Sequence, residues 1–131
     1  MNNPTTIRVV AAVIEHEGRY LITQRRPNAV LPLMWEFPGG KVEENETDAA
    51  ALRREVLHRL GVDVKAGQLI SFVSHPYEKY TVDLYLYECT ITSGEPAPNA
   101  VHAFKWVTSA EFDQHPFTPA DEASMNKLLG L

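Results

Sequence analysis

The sequence predicts an α+β or mixed-sheet sandwich, and three features carry that expectation. A β-branched apolar run opens the chain, a capped amphipathic helix follows a glycine-rich extended piece, and further strands precede a second, C-terminal helix. Strands mixed with two helices pack as an α+β or mixed-sheet sandwich. At 131 residues, 44% apolar and 22% charged, the chain is expected to form a single domain over residues 1–131.

Residues 7–14 (IRVVAAVI) read as a strand buried on both faces, because nearly every position is apolar. Residues 15–18 (EHEG) make a turn, and 19–23 (RYLIT) return as a second strand. The stretch 24–33 is irregular and punctuated by Pro27 and Pro32, and 35–40 (WEFPGG) is a short extended piece ending in a glycine turn. Residues 47–60 give the strongest helix. Thr47 is its N-cap, Asp48 complements the positive end, and Gly61 stops it. Leu52, Val56 and Leu60, with Ala49 and Leu57 beside them, form a stripe at i, i+4 and i+8.

Two strands, 68–74 and 80–91, are joined across HPYEK, and in the second Val82, Leu84 and Leu86 alternate with Asp83, Tyr85 and Tyr87. After the loop GEPAPN, residues 103–107 form a last strand. Ser109 caps a turn of helix, and 120–129 close the chain as the second helix.

Twelve Lys and Arg against seventeen Asp and Glu leave a net charge of −5. That balance excludes non-specific binding of polymeric nucleic acid, which depends on neutralising phosphates with cationic side chains. A small phosphate ligand stays open, provided a local basic cluster or a bridging divalent cation meets it. Cys89 is the single cysteine, so no disulfide framework exists and a reducing, cytoplasmic setting is expected. The polar start and the short apolar run after it predict neither a signal peptide nor a membrane span. Monomer and homodimer are equally compatible with the sequence.

The informative segment is GGKVEENETDAAALRREVLHRLGV, residues 39–62. Glu55, His58 and Arg59 share one helix face, opposite the Leu52/Val56/Leu60 stripe. Taken alone, that face fits a solvated surface with a Glu55–Arg59 pair worth a few tenths of a kcal/mol. The glycines and the spacing to Glu46 turn the reading towards a phosphate site.

Gly40, Glu46, Arg54-Glu55-Val56 and Gly61-Val62 stand at the spacing of the Nudix box, G-x5-E-x7-R-E-U-x-E-E-x-G-U with U aliphatic. The WEFPGG piece, the LITQRR strand end and the PADE stretch resemble the MutT-like branch of that family, and the resemblance runs from about Ile7 to Leu129. It implies an α/β/α sandwich that hydrolyses nucleoside triphosphates or related nucleoside diphosphate derivatives with Mg²⁺ or Mn²⁺. It also implies that Glu55 and the Gly39 carbonyl hold metal, and that Arg54 and Glu46 brace the loop against the helix.

The sequence departs from the box where the family has its E-E pair, carrying His58 and Arg59 instead. His58 suits Mn²⁺ or Zn²⁺ better than Mg²⁺, and Arg59 ligates no cation. Ala100 stands near the place of a further acid in the loop before the last strand, with Glu95 the nearest carboxylate there. Weak metal binding is therefore expected, with Glu36, Glu43 or Glu44 as substitute carboxylates. Asn45 stands where Gly is common, and Asn tolerates the left-handed conformation. Arg25, Arg26, Lys41 and Arg59 are candidate phosphate contacts. Asp121 is a candidate base reader or a helix cap, and Trp35, Tyr77 and Tyr80 are stacking or core aromatics. Two functions follow: a nucleotide pyrophosphohydrolase with impaired activity, or a nucleotide-binding module without turnover.

Overall fold

The computed structural model describes residues 5–129. Its first sheet runs β5(Gly39–Lys41)–β1(Thr5–Val13)–β7(Tyr80–Ser93)–β6(Asp63–Pro76). β1 and β7 are parallel, with Val9 opposite Leu84, while β5 and β6 pair antiparallel on the outside. The second sheet holds β2(Glu15–His16), β3(Arg19–Gln24), β4(Trp35–Glu36) and β8(Ala103–Val107), all antiparallel about β3.

The continuous apolar run in β1 is explained by two cores, one on each side of its sheet. Val10, Ala12 and Ile14 face one, with Leu52, Val56 and Leu60 of α1(Asp48–Leu60). Ala11 and Val13 face the other, with Ala120 and Met125 of α2(Pro119–Leu128). β7 obeys the same rule: Leu84 and Leu86 enter the second core, and Tyr85 and Tyr87 pack on the first. The expected α/β/α sandwich with a mixed sheet is therefore what forms.

α1 starts and stops as its sequence predicts. Ala50 N–H donates to Thr47 Oγ1 at 3.1 Å, a cap worth about 1 kcal/mol. Gly61, at φ 73°, ends the helix by donating to the Leu57 carbonyl at 2.9 Å. Leu52, Val56 and Leu60 are fully buried, each contributing on the order of 2 kcal/mol of transfer free energy. Ala49 and Leu57, expected beside that stripe, are exposed.

Other expectations change too: residues 15–18, expected as a turn, begin with the short strand β2. The first of the paired strands begins at Asp63, not residue 68, because bulges near Ala66 and Leu69 interrupt the alternation that marks a strand in sequence. The WEFPGG piece is split between the two sheets as β4 and β5. Gly39 and Gly40 thus lie in a strand, not a turn, and their φ angles are not positive. Thr108, not Ser109, precedes the 3₁₀ helix Ser109–Gln114, with a reciprocal Thr108–Glu111 capping box. α2 begins one residue early, with Pro119 in its first turn where a missing N–H costs nothing.

Candidate functional site

Glu55 lies at the junction of β5 and α1. A methyl group on Gly40 would overlap the Glu55 carboxyl, and one on Gly39 would overlap the Val10 carbonyl. Gly39 is thus required by close approach to backbone, whereas at Gly40 it is the Glu55 side chain that would have to move. Arg54 binds the acidic loop to the helix with four hydrogen bonds. Nε and Nη2 donate to Glu46 at 2.8 and 2.9 Å, Nη2 to the Lys41 carbonyl at 2.9 Å, and Nη1 to Glu55 Oε1 at 2.7 Å. The Glu46 carboxylate also accepts from Glu43 N–H at 2.9 Å. Arg54 first, then that amide, hold its pKa down at about 2. Asn45 takes the left-handed conformation at φ 65° in the same loop.

The other oxygen of Glu55 accepts from Arg59 Nε at 3.1 Å. Arg59 is partly buried and lines a cavity of about 180 Å³ with Arg25, Arg26, Asn28, Glu36 and Ala100. Ala100 N–H donates to the Arg59 carbonyl at 3.1 Å, which pins the loop before β8 to the end of α1. Arg25 Nη1 donates to both oxygens of Glu36 at 3.0 and 3.1 Å, and Nε to the Val30 carbonyl at 2.6 Å.

Arg25 and Glu36 also line a second cavity of about 120 Å³, together with Asp121, Tyr77 and Tyr80. Tyr77 and Tyr80 stack at 5.3 Å between ring centroids. Asp121, the third residue of α2, caps no helix end in the usual way. Its carboxylate accepts from Phe37 N–H at 3.0 Å and Thr118 Oγ1–H at 2.6 Å. Burial, and then the negative charge of Glu36, push its pKa well above the usual carboxylate range despite those donors.

The structure thus gathers Arg25, Arg26 and Arg59 around one cavity and Asp121 in the next, with Glu46, Arg54 and Glu55 joined as a chain of ion pairs. It does not gather the rest. His58 is exposed on the solvent side of α1, and Lys41 contributes its carbonyl while its side chain is exposed. Trp35 is a core residue, 5% exposed, against the edge of His115. Glu43 and Glu44 are exposed, and Glu95 lines a separate cavity beside Trp106. Sequence reasoning missed Asn28, Asn99 and Thr118. Thr118 alone had a signal, since it stands just before the Pro that opens α2.

The family model described as NUDIX domain matches residues 9–127. The chain belongs to the Nudix family. Within its MutT-like branch, the chain is 30% identical over 125 residues to the CTP pyrophosphohydrolase of Escherichia coli K12, covering 95% of this chain and 93% of that one. It is 30% identical over 124 residues to the 8-oxo-dGTP diphosphatase of Haemophilus influenzae, with 94% and 91% covered. The crystal structure of a MutT Nudix hydrolase from Burkholderia pseudomallei superimposes with a TM-score of 0.83 at 26% identity, covering 95% of this chain and 98% of that one.

Nudix hydrolases generally use divalent metal ions, and the residues of this Nudix chain do not make a resident site for one. Of the three box positions on α1, Glu55 alone is acidic, and both of its oxygens are engaged by guanidinium groups. No cluster of three or more His, Cys, Asp or Glu side chains suited to a metal occurs among the described residues. No helix among them is long and apolar enough to cross a membrane.

Proposed function

We propose that residues 1–131 form a single Nudix domain that acts as a MutT-like nucleotide pyrophosphohydrolase, with slow turnover. Its substrates are nucleoside triphosphates or related nucleoside diphosphate derivatives. The observation that carries this reading is the pair of adjoining cavities that share Arg25 and Glu36. One is lined by an aromatic pair and a buried carboxyl, groups that stack on a base and read its polar edge. The other is lined by three guanidiniums, which match phosphate oxygens. Glu46, Arg54 and Glu55 fix the loop and helix that border the phosphate end, and Gly39 and Gly40 permit that fit. Mg²⁺ or Mn²⁺ binds the free chain weakly, with His58 and the Gly39 carbonyl too little to replace the absent carboxylates. Lys41 contributes long-range charge only. The same reading places the chain in the cytoplasm, where free nucleotides occur and Cys89 stays reduced.

A second reading, a nucleotide-binding module without turnover, is favoured by one contact: the Arg59–Glu55 pair, which puts a fixed cation where the box has an acid. A panel of ribo- and deoxyribonucleoside triphosphates with Mg²⁺ or Mn²⁺, read by both binding and pyrophosphate release, separates the two. The proposed activity gives binding and slow release for at least one nucleotide. Binding without release under every condition selects the second reading, and absence of binding overturns both.

A further inference from the structure

Building on the reading of the two cavities as a nucleotide cleft, we infer that this domain holds the polyphosphate of its nucleotide without a divalent cation, on Arg59, Arg26 and Arg25. In a chain of net charge −5, three guanidiniums and one carboxylate line a cavity of about 180 Å³. That local reversal of sign concentrates anions in the cleft.

The three cations are held in place while donors remain free. Arg59 uses only Nε, on Glu55, so among the described residues both of its Nη groups are unpaired. Arg26 donates through Nη2 to the Asn99 carbonyl at 3.2 Å, leaving Nε and Nη1. Arg25 is fixed by Val30 and Glu36 and keeps Nη2. Guanidinium groups already oriented lose little freedom on meeting phosphate; each keeps a charge-assisted donor, and Arg59, with both Nη groups free, can donate a pair. The loop that closes this end is itself tied down, because Ala97 and Ala100 N–H donate to the last carbonyls of α1.

A fixed set of cations reverses the usual role of Mg²⁺. Bound to a triphosphate, Mg²⁺ neutralises the charge and occupies the oxygens that the arginines would take. It therefore competes with this cleft.

Calorimetry on the full chain tests the inference, with CTP and inorganic tripolyphosphate as probes, first in chelator and then with excess Mg²⁺. Both probes bind in chelator, and Mg²⁺ weakens them severalfold. Arg59→Ala lowers the metal-free affinity for tripolyphosphate by about tenfold or more. Arg26→Ala gives the same direction and serves as the readout if the first variant folds poorly. Arg53→Ala, which removes a pair with Asp63 outside the cleft, leaves binding unchanged. Binding that appears only with Mg²⁺ overturns the inference and leaves the nucleotide cleft standing. Absence of binding in both conditions overturns both, and wild-type affinity in the Arg59 and Arg26 variants removes the assigned residues.

Discussion

Arg59 and Glu55 face each other across one turn of α1, Nε to Oε2 at 3.1 Å, with the Glu55 carboxylate only 13% exposed. Arg54 holds the opposite oxygen at 2.7 Å. A carboxylate gripped from both sides is a poor ligand for a third cation, since a metal must displace a charge-assisted hydrogen bond to reach it.

The free protein therefore binds Mg²⁺ in the millimolar range. Isothermal calorimetry without nucleotide checks this, and micromolar or tighter affinity would contradict it.

Gly40→Ala places a methyl group against the Glu55 carboxyl and separates it from Arg59. Because the group displaced is the end of a flexible side chain, the stability loss is small, below the roughly 1–3 kcal/mol usual for overpacking a rigid core. A denaturant midpoint shift gives the magnitude, and loss of the Arg59 Nε–H signal in NMR reports the broken pair.

Glu46 titrates well below its ordinary value of 4.5, at about 2. A depressed carboxylate contributes stability above its unfolded pKa and loses it as pH falls through the folded one. The contribution is thus complete above about pH 4.5 and is lost by about pH 2. Glu46→Gln removes this part of the acid dependence, so the melting curves of variant and wild type converge at the acid end of that window.

Asp121 has the opposite sign. Its folded pKa is raised, so the native state binds the extra proton and stability falls as pH rises from the unfolded value near 3.8. Asp121→Asn keeps the shape and removes the buried charge. Its melting temperature exceeds that of wild type at pH 8, and the advantage shrinks on acidification. An advantage that grows on acidification would reverse the assigned sign.

The fold was legible where burial imposes a period. The double-sided burial of β1 and the stripe of α1 are written in Val9–Ile14 and in Leu52, Val56 and Leu60. Around Gly67 the β6 pattern fails because bulges break the alternation. The Gly39-Gly40 pair reads as a turn because sequence carries no sign of close approach to Val10 and Glu55. Of the candidate site, Arg54, Glu46 and Glu55 were legible because fixed spacing puts them on one loop and one helix. The cavity around Arg25, Arg26 and Arg59 was not, because Arg26 and its Asn99 partner are 73 residues apart.

The most direct measurement is the turnover of the double variant His58→Glu, Arg59→Glu with Mg²⁺. The two changes put carboxylates beside Glu55 and remove the guanidinium that grips it, at small cost to folding because one i, i+4 pair is lost. Pyrophosphate release from at least one nucleoside triphosphate rises by orders of magnitude over wild type. A well-folded double variant with unchanged or lower turnover, beside a wild type that hydrolyses briskly, would contradict the account and make His58 and Arg59 parts of a working site.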